Sequence, residues 1–124
     1  MAEHPNAALI RKAIEALNAG DDTYLDSIMV EDVVWHTTGA PEPIRGKEAL
    51  RSMGSGERGY ELTATLNDVT ASDDHAVALI SSHVVREGRT IDFDSAEIFR
   101  VVDGKITERW AFSDDTARIA EFFA

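Results

Sequence analysis

One carboxylate in this chain stands where the alternation of a strand puts apolar side chains. Between Arg89 and Asp114 the sequence reads RTIDFDSAEIFRVVDGKITERWAFSD; in its first arm Ile91, Phe93, Ser95, Glu97, Phe99 and Val101 alternate with Thr90, Asp92, Asp94, Ala96, Ile98 and Arg100. A strand turns successive side chains to opposite faces, so Glu97 shares the apolar face with Phe99. Leaving a carboxylate there charged and unpaired costs on the order of several kcal/mol. Glu97 must therefore be paired, protonated or hydrated in a cavity, and each state suits acid–base work. Beside an arginine it stays ionised and can act as a base; alone in an apolar site it favours the protonated, acidic form.

The turn that follows decides which residue faces Glu97, and two geometries fit. A two-residue Asp103-Gly104 turn pairs Val101 with Ile106 and so Glu97 with Trp110. A three-residue loop, Val102-Asp103-Gly104 with a glycine bulge, shifts the register by one and pairs Glu97 with Arg109. In that second register Thr107, Arg109, Ala111 and Ser113 join the Glu97 face, while Ile106, Glu108, Trp110 and Phe112 turn outward. A guanidinium opposite the glutamate would offset its burial, which favours the second. A purely structural ion pair between Glu97 and Arg109 accounts for both residues as well as a catalytic one does.

Other polar residues give weaker signals. His36 follows Trp35, so parity turns it away from the face of Trp35 and Thr37 and toward the surface or a partner. His83 shares the face of Leu79 and Val85 and reads as interfacial. No histidine pair has the spacing of a metal-ligand set, and Asp92 and Asp94 lie on the outer face; no metal and no cofactor is expected. Gly54-Ser55-Gly56 lacks the lysine and helix of a phosphate loop and reads as a lip over a pocket.

The composition narrows the field. With 124 residues, 44% of them hydrophobic, the chain is expected to form one domain, residues 1–124, with a real core. Twelve Lys and Arg against 23 Asp and Glu, a net charge of −11, argue against nucleic acid or an anionic membrane as partner. Cysteine is absent, which removes thiol chemistry and disulfides. MAEHPNAALIRKA has no basic start followed by an apolar run, and no stretch is apolar enough to span a membrane, so a cytoplasmic location is expected.

The elements that must position Glu97 follow from periodicity. Leu9, Ile10, Ala13, Ile14 and Leu17 mark a helix, with Asn6 as N-cap and Gly20 as stop. Asp21 and Asp22 open a second, whose inner stripe is Tyr24, Leu25, Ile28 and Met29. A short strand covers Val33 to Thr37, and a stiff loop holds Pro41 and Pro43. A short helix spans Lys47 to Met53. Tyr60, Leu62, Ala64 and Leu66 alternate in a strand, Ala76 to Arg86 form the next, the hairpin follows, and a helix anchored by Ile119, Phe122 and Phe123 ends the chain. Helices gathered before strands give an α+β domain with helices packed on one face of a bent sheet. Ala78, Ile80 and Val84 on one side of their strand and Val77, Leu79 and Val85 on the other make both faces apolar, which predicts a homodimer through the outer sheet face.

The run EIFRVVDGKITERW, Glu97 to Trp110, resembles the D-x-[FW]-R-V-x-D-G-K-I-x-E-H-W stretch of SnoaL-like polyketide cyclases. These are members of the nuclear-transport-factor-two-like superfamily, which also holds ketosteroid isomerases and limonene epoxide hydrolases. ALNAGD at Ala16 to Asp21 and EDVVWH at Glu31 to His36 resemble the opening of the same family, so the likeness covers nearly the whole chain. The resemblance implies a cone, a curved antiparallel sheet with the N-terminal helices across its concave face, an apolar pocket and frequently a dimer. It also favours the bulged hairpin. It places Glu97 where the cyclases carry an acid/base aspartate and Arg109 where many carry histidine. The isomerase's base and oxyanion tyrosine fall at Thr37 and Ala13, and the epoxide hydrolase's Arg-Asp-Asp set at Ala78, Ile80 and Ala111, so neither mechanism is expected. What it implies is a small hydrophobic molecule, bound by Tyr24, Trp35, Thr37, Met53, Tyr60, Phe93 and Ser113. That molecule would be turned over by a cofactor-independent cyclase or isomerase acting through Glu97 and Arg109. A non-catalytic binding or dimerisation module of the same fold is the alternative.

Overall fold

Helix α1 (Pro5–Asn18) begins on a proline whose missing N–H costs nothing at the first turn, and His4 caps it by accepting the Asn6 N–H at 3.0 Å on Nδ1. The cap is therefore His4 and not Asn6, whose side-chain amide donates instead to the carbonyls of Ser72 and Asp73. Ala7, Ile10, Ala13 and Ile14 form its buried stripe. Gly20, at a φ of +76° that favours glycine, lets the chain reverse into α2 (Asp22–Ser27). Asp21 caps that helix, accepting the Thr23 and Tyr24 N–H groups, and the Thr23 hydroxyl holds its carboxyl below the usual range.

The computed structural model describes residues 3–38, 40–51 and 59–124. After the two helices come β1 (Met29–His36), β2 (Ile44–Arg45), α3 (Lys47–Arg51), β3 (Glu61–Ala71), β4 (His75–Arg86), β5 (Arg89–Val102), β6 (Lys105–Ser113) and α4 (Thr116–Phe123). The six strands form one curved sheet in the order β2-β1-β6-β5-β4-β3. All neighbours are antiparallel except β1 and β6, which run parallel. This is the α+β architecture expected, with one strand added: β2, two residues long, is too short to show any alternation. No helix among the described residues is long and apolar enough to cross a membrane.

The hairpin follows neither anticipated register. Asp103 and Gly104 both have positive φ, +51° and +74°, the signature of a two-residue turn, and Val101 pairs with Ile106. Immediately afterwards β6 takes an extra residue, Thr107, so that Arg100 pairs with Glu108, Phe99 with Arg109 and Glu97 with Ala111. The bulge reverses the parity of β6. Ile106, expected outside, is fully buried; beyond the bulge Arg109 and Ala111 also turn inward, while Glu108, Trp110 and Phe112 stay outward. Arg109 is thus Glu97's diagonal neighbour, not its direct partner.

Two cores result. The larger joins α1 and the end of α2 to the inner residues of β1, β4 and β5, including Val33, Ala78, Ile80 and Phe99. The smaller, at the other end of the sheet, packs Ile119 and Phe122 of α4 on Val84 and Ile91. Strand β3 is a sheet edge, and Asn18 satisfies its open side: its amide donates to the Ala64 carbonyl at 2.6 Å and accepts the Ala64 N–H at 2.9 Å. Replacing Asn18 with alanine leaves the N–H and carbonyl of buried Ala64 unpaired, so Asn18→Ala is expected to cost about 1–3 kcal/mol, measured as a shift in the urea unfolding midpoint.

Candidate functional site

Strand β5 carries Glu97 onto the concave face between two small neighbours, Ala78 on β4 and Ala111 on β6. Arg109 reaches the carboxylate from one pair along β6: Nε donates to Oε1 at 2.8 Å, and a terminal nitrogen lies 2.7 Å from the same oxygen. The two side chains are 13% (Arg109) and 15% (Glu97) exposed, so the pair is largely dry. The guanidinium is fixed on two further sides. It donates to the His36 carbonyl at 3.1 Å and lies 4.6 Å from the centre of the Trp35 ring, which in turn meets Phe99 edge-on.

Both arginine contacts fall on Oε1. Among the described residues, Oε2 has no hydrogen-bond partner. The carboxylate is thus held in place through one oxygen while the other retains its acceptor capacity.

Glu97 and Arg109 form part of the wall of a cavity of about 420 Å³ between the sheet and the helices. Trp35, Thr37 and Tyr60 line the same cavity, together with apolar residues such as Ile14, Leu17, Met29 and Leu62. Three other residues named from sequence lie elsewhere. Tyr24 packs against the larger core with the Lys12 ammonium 4.7 Å from its ring centre, and burial pushes its hydroxyl above its ordinary pKa. Phe93 belongs to the smaller core, and the Ser113 hydroxyl shares a hydrogen bond with Thr116 at 3.1 Å. Met53 and the Gly54-Ser55-Gly56 loop fall outside the described residues.

The cavity also has a charged patch that the sequence did not single out. Lys47, only 9% exposed, lines it with Asp26 and Arg51. Arg51 donates to Asp26 at 2.9 and 3.4 Å, and this bond holds the Asp26 carboxyl below the usual range. Lysine at the start of a five-residue helix has no periodic signal to mark it as buried. What buries it is a long-range contact, the Gly46 N–H on the Val33 carbonyl at 2.7 Å, which pins the chain to β1 just before Lys47.

His36 lies on the other face, as parity requires, stacked on Trp110 with Nε2 2.6 Å from Glu108. Among the described residues no group of three or more His, Asp or Glu is placed to hold a metal ion.

The SnoaL-like domain profile matches residues 10–109, and the chain belongs to that family. Solved structures agree. Bal32a from a soil-derived mobile gene cassette is 26% identical over 97% of both chains with a TM-score of 0.86. A Xanthomonas campestris protein provisionally assigned as a polyketide cyclase is 24% identical over 97% of both, TM-score 0.75. An M. tuberculosis epoxide hydrolase of the LEH-like type is 21% identical over 89% of this chain and 83% of its own, TM-score 0.75. The last two share the fold alone. A comparison with curated proteins finds no match.

Removing the guanidinium strands a buried carboxylate, whereas removing both charges does not. Arg109→Met is expected to destabilise by about 3–5 kcal/mol, and the double variant Arg109→Met/Glu97→Leu by clearly less, as read from chemical denaturation in a double-mutant cycle.

Proposed function

We propose that this protein binds a small hydrophobic carbonyl compound in the 420 Å³ cavity and moves a proton on it through Glu97, without a cofactor. The observation that carries this reading is the one-sided clamp: Arg109 occupies Oε1, and Oε2 is left for a ligand. In the step envisaged, Oε2 takes a proton from carbon beside the carbonyl, and the electron pair of that C–H bond moves into the enolate. In an isomerisation the proton returns at another carbon. In a cyclisation the enolate carbon attacks a second carbonyl of the same molecule, and the resulting alkoxide receives the proton. The Trp35 indole and the Thr37 hydroxyl, on the same cavity wall, are the donors for the enolate oxygen.

Catalysed hydrogen–deuterium exchange beside the carbonyl of 2-tetralone, followed by NMR in D₂O, tests the reading. Glu97→Gln is expected to lower the catalysed rate by about 10²–10⁴-fold while leaving binding of the ketone in place. A wild-type protein that binds the ketone and exchanges nothing supports the alternative, a binding module of the same fold.

The active form in this proposal is a homodimer through the outer sheet face. Leu79, Ala96 and Phe112 lie in register across β4, β5 and β6, and Val77, Ile98 and Trp110 form the next row. Leu79 and Phe112 are 47% and 58% exposed, an apolar strip of the kind that a second copy covers. Light scattering at micromolar concentration is expected to give twice the chain mass, and Phe112→Glu to give the monomer.

A further inference from the structure

The cavity runs against the charge of the chain. The whole sequence carries −11, yet the charged residues described on the cavity wall are three cations, Lys47, Arg51 and Arg109, and two carboxylates, Asp26 and Glu97. Arg109 balances the charge of Glu97, and Arg51 that of Asp26 through two hydrogen bonds. Of the three cations Lys47 has the longest contacts to its partners. Its Nζ is 3.5 Å from Asp26, at the outer limit of a hydrogen bond, and 3.8 Å from Glu31, whose side chain is 83% exposed and faces water. Among the described residues the ammonium makes no shorter contact, although its own side chain is only 10% exposed. A buried ammonium with its donors so loosely engaged is costly unless another acceptor completes it. Its place also separates it from Glu97: Phe99, Arg109, Trp35 and Ile44 form one row across β5, β6, β1 and β2, with Lys47 three residues past Ile44. Three interstrand steps of about 4.8 Å span that row.

From this we infer that the cavity takes an amphiphilic oxo-acid, with its apolar body between the helices and the sheet, its carbonyl at Glu97 and its carboxylate on Lys47. The inference rests on reading the cavity as a ligand site and adds the ligand's charge and orientation. A carboxylate bonded to an ammonium in a dry site gains more than a neutral hydroxyl of the same length does.

The experiment compares decanoate with 1-decanol, titrated calorimetrically into the full-length protein. Wild type is expected to bind the acid at least roughly tenfold more tightly than the alcohol. Lys47→Met, close in volume and relieved of the buried charge, is expected to lose that preference while keeping its affinity for 1-decanol. Lys47→Gln serves the same comparison if the methionine variant does not fold. Equal affinity of wild type for acid and alcohol, failure to bind either, or a preference that persists in the Lys47 variants overturns the inference. The arms separate it from the catalytic reading: an acid preference dependent on Lys47 supports it even where no exchange at 2-tetralone is catalysed, and catalysed exchange without the preference overturns it alone.

Discussion

A charged carboxylate beneath packed helices needs a partner to offset its burial, and here a cation arrives through one extra residue in β6. The Asp103-Gly104 turn by itself would set Trp110 over Glu97 and send Arg109 to solvent. The bulge at Thr107 reverses this, so that Ile106 on one side of it and Arg109 on the other both point into the core. Arg109 then does more than neutralise Glu97. By donating to the His36 carbonyl and lying on Trp35 it ties β6 to β1, the one parallel pairing in the sheet. The ion pair and that strand order therefore depend on each other, and a change that loosens Arg109 is felt on both faces of the sheet.

Much of this was legible in the residues. Helical spacing marks α1, alternation assigns the faces of β4 and β5, and Asp-Gly between apolar arms specifies a tight turn. Glu97 announces itself as a polar residue in an apolar register. The bulge does not, because its position is set by what β6 packs against on its far side, a strand some seventy residues earlier in the chain. Phe93 and Ser113 show a second limit. Both lie on the expected arms, but periodicity names a face and not a place along it, and the concave face is divided between two cores. Lys47 shows a third: burial imposed by a backbone contact from Gly46 to Val33 leaves no trace in local sequence.

The acidity of the chain acquires meaning from where the acids are absent. A net charge of −11 keeps the surface soluble and self-repelling, and it is spent mostly on exposed positions such as Glu31, Asp73 and Asp92. Within the cavity, screening by water is weaker, so each of the few charges weighs more than its counterpart outside. Among the described residues the cavity wall carries three cations and two carboxylates, fixed charges that an apolar wall alone would lack.

The form of the Glu97–Arg109 contact bears on whether the pair serves the fold alone. For stability, the most favourable arrangement of these groups is the two-pronged fork, which satisfies both carboxylate oxygens at once. Here both short contacts converge on Oε1, and Glu97 lines the cavity with Oε2 free of hydrogen bonds to the described residues. Ala78 and Ala111, paired with Glu97 on the two neighbouring strands, are both small. A clamp on one oxygen alone suits the role proposed for Glu97, a proton acceptor for a bound molecule, better than the fork of a structural ion pair would.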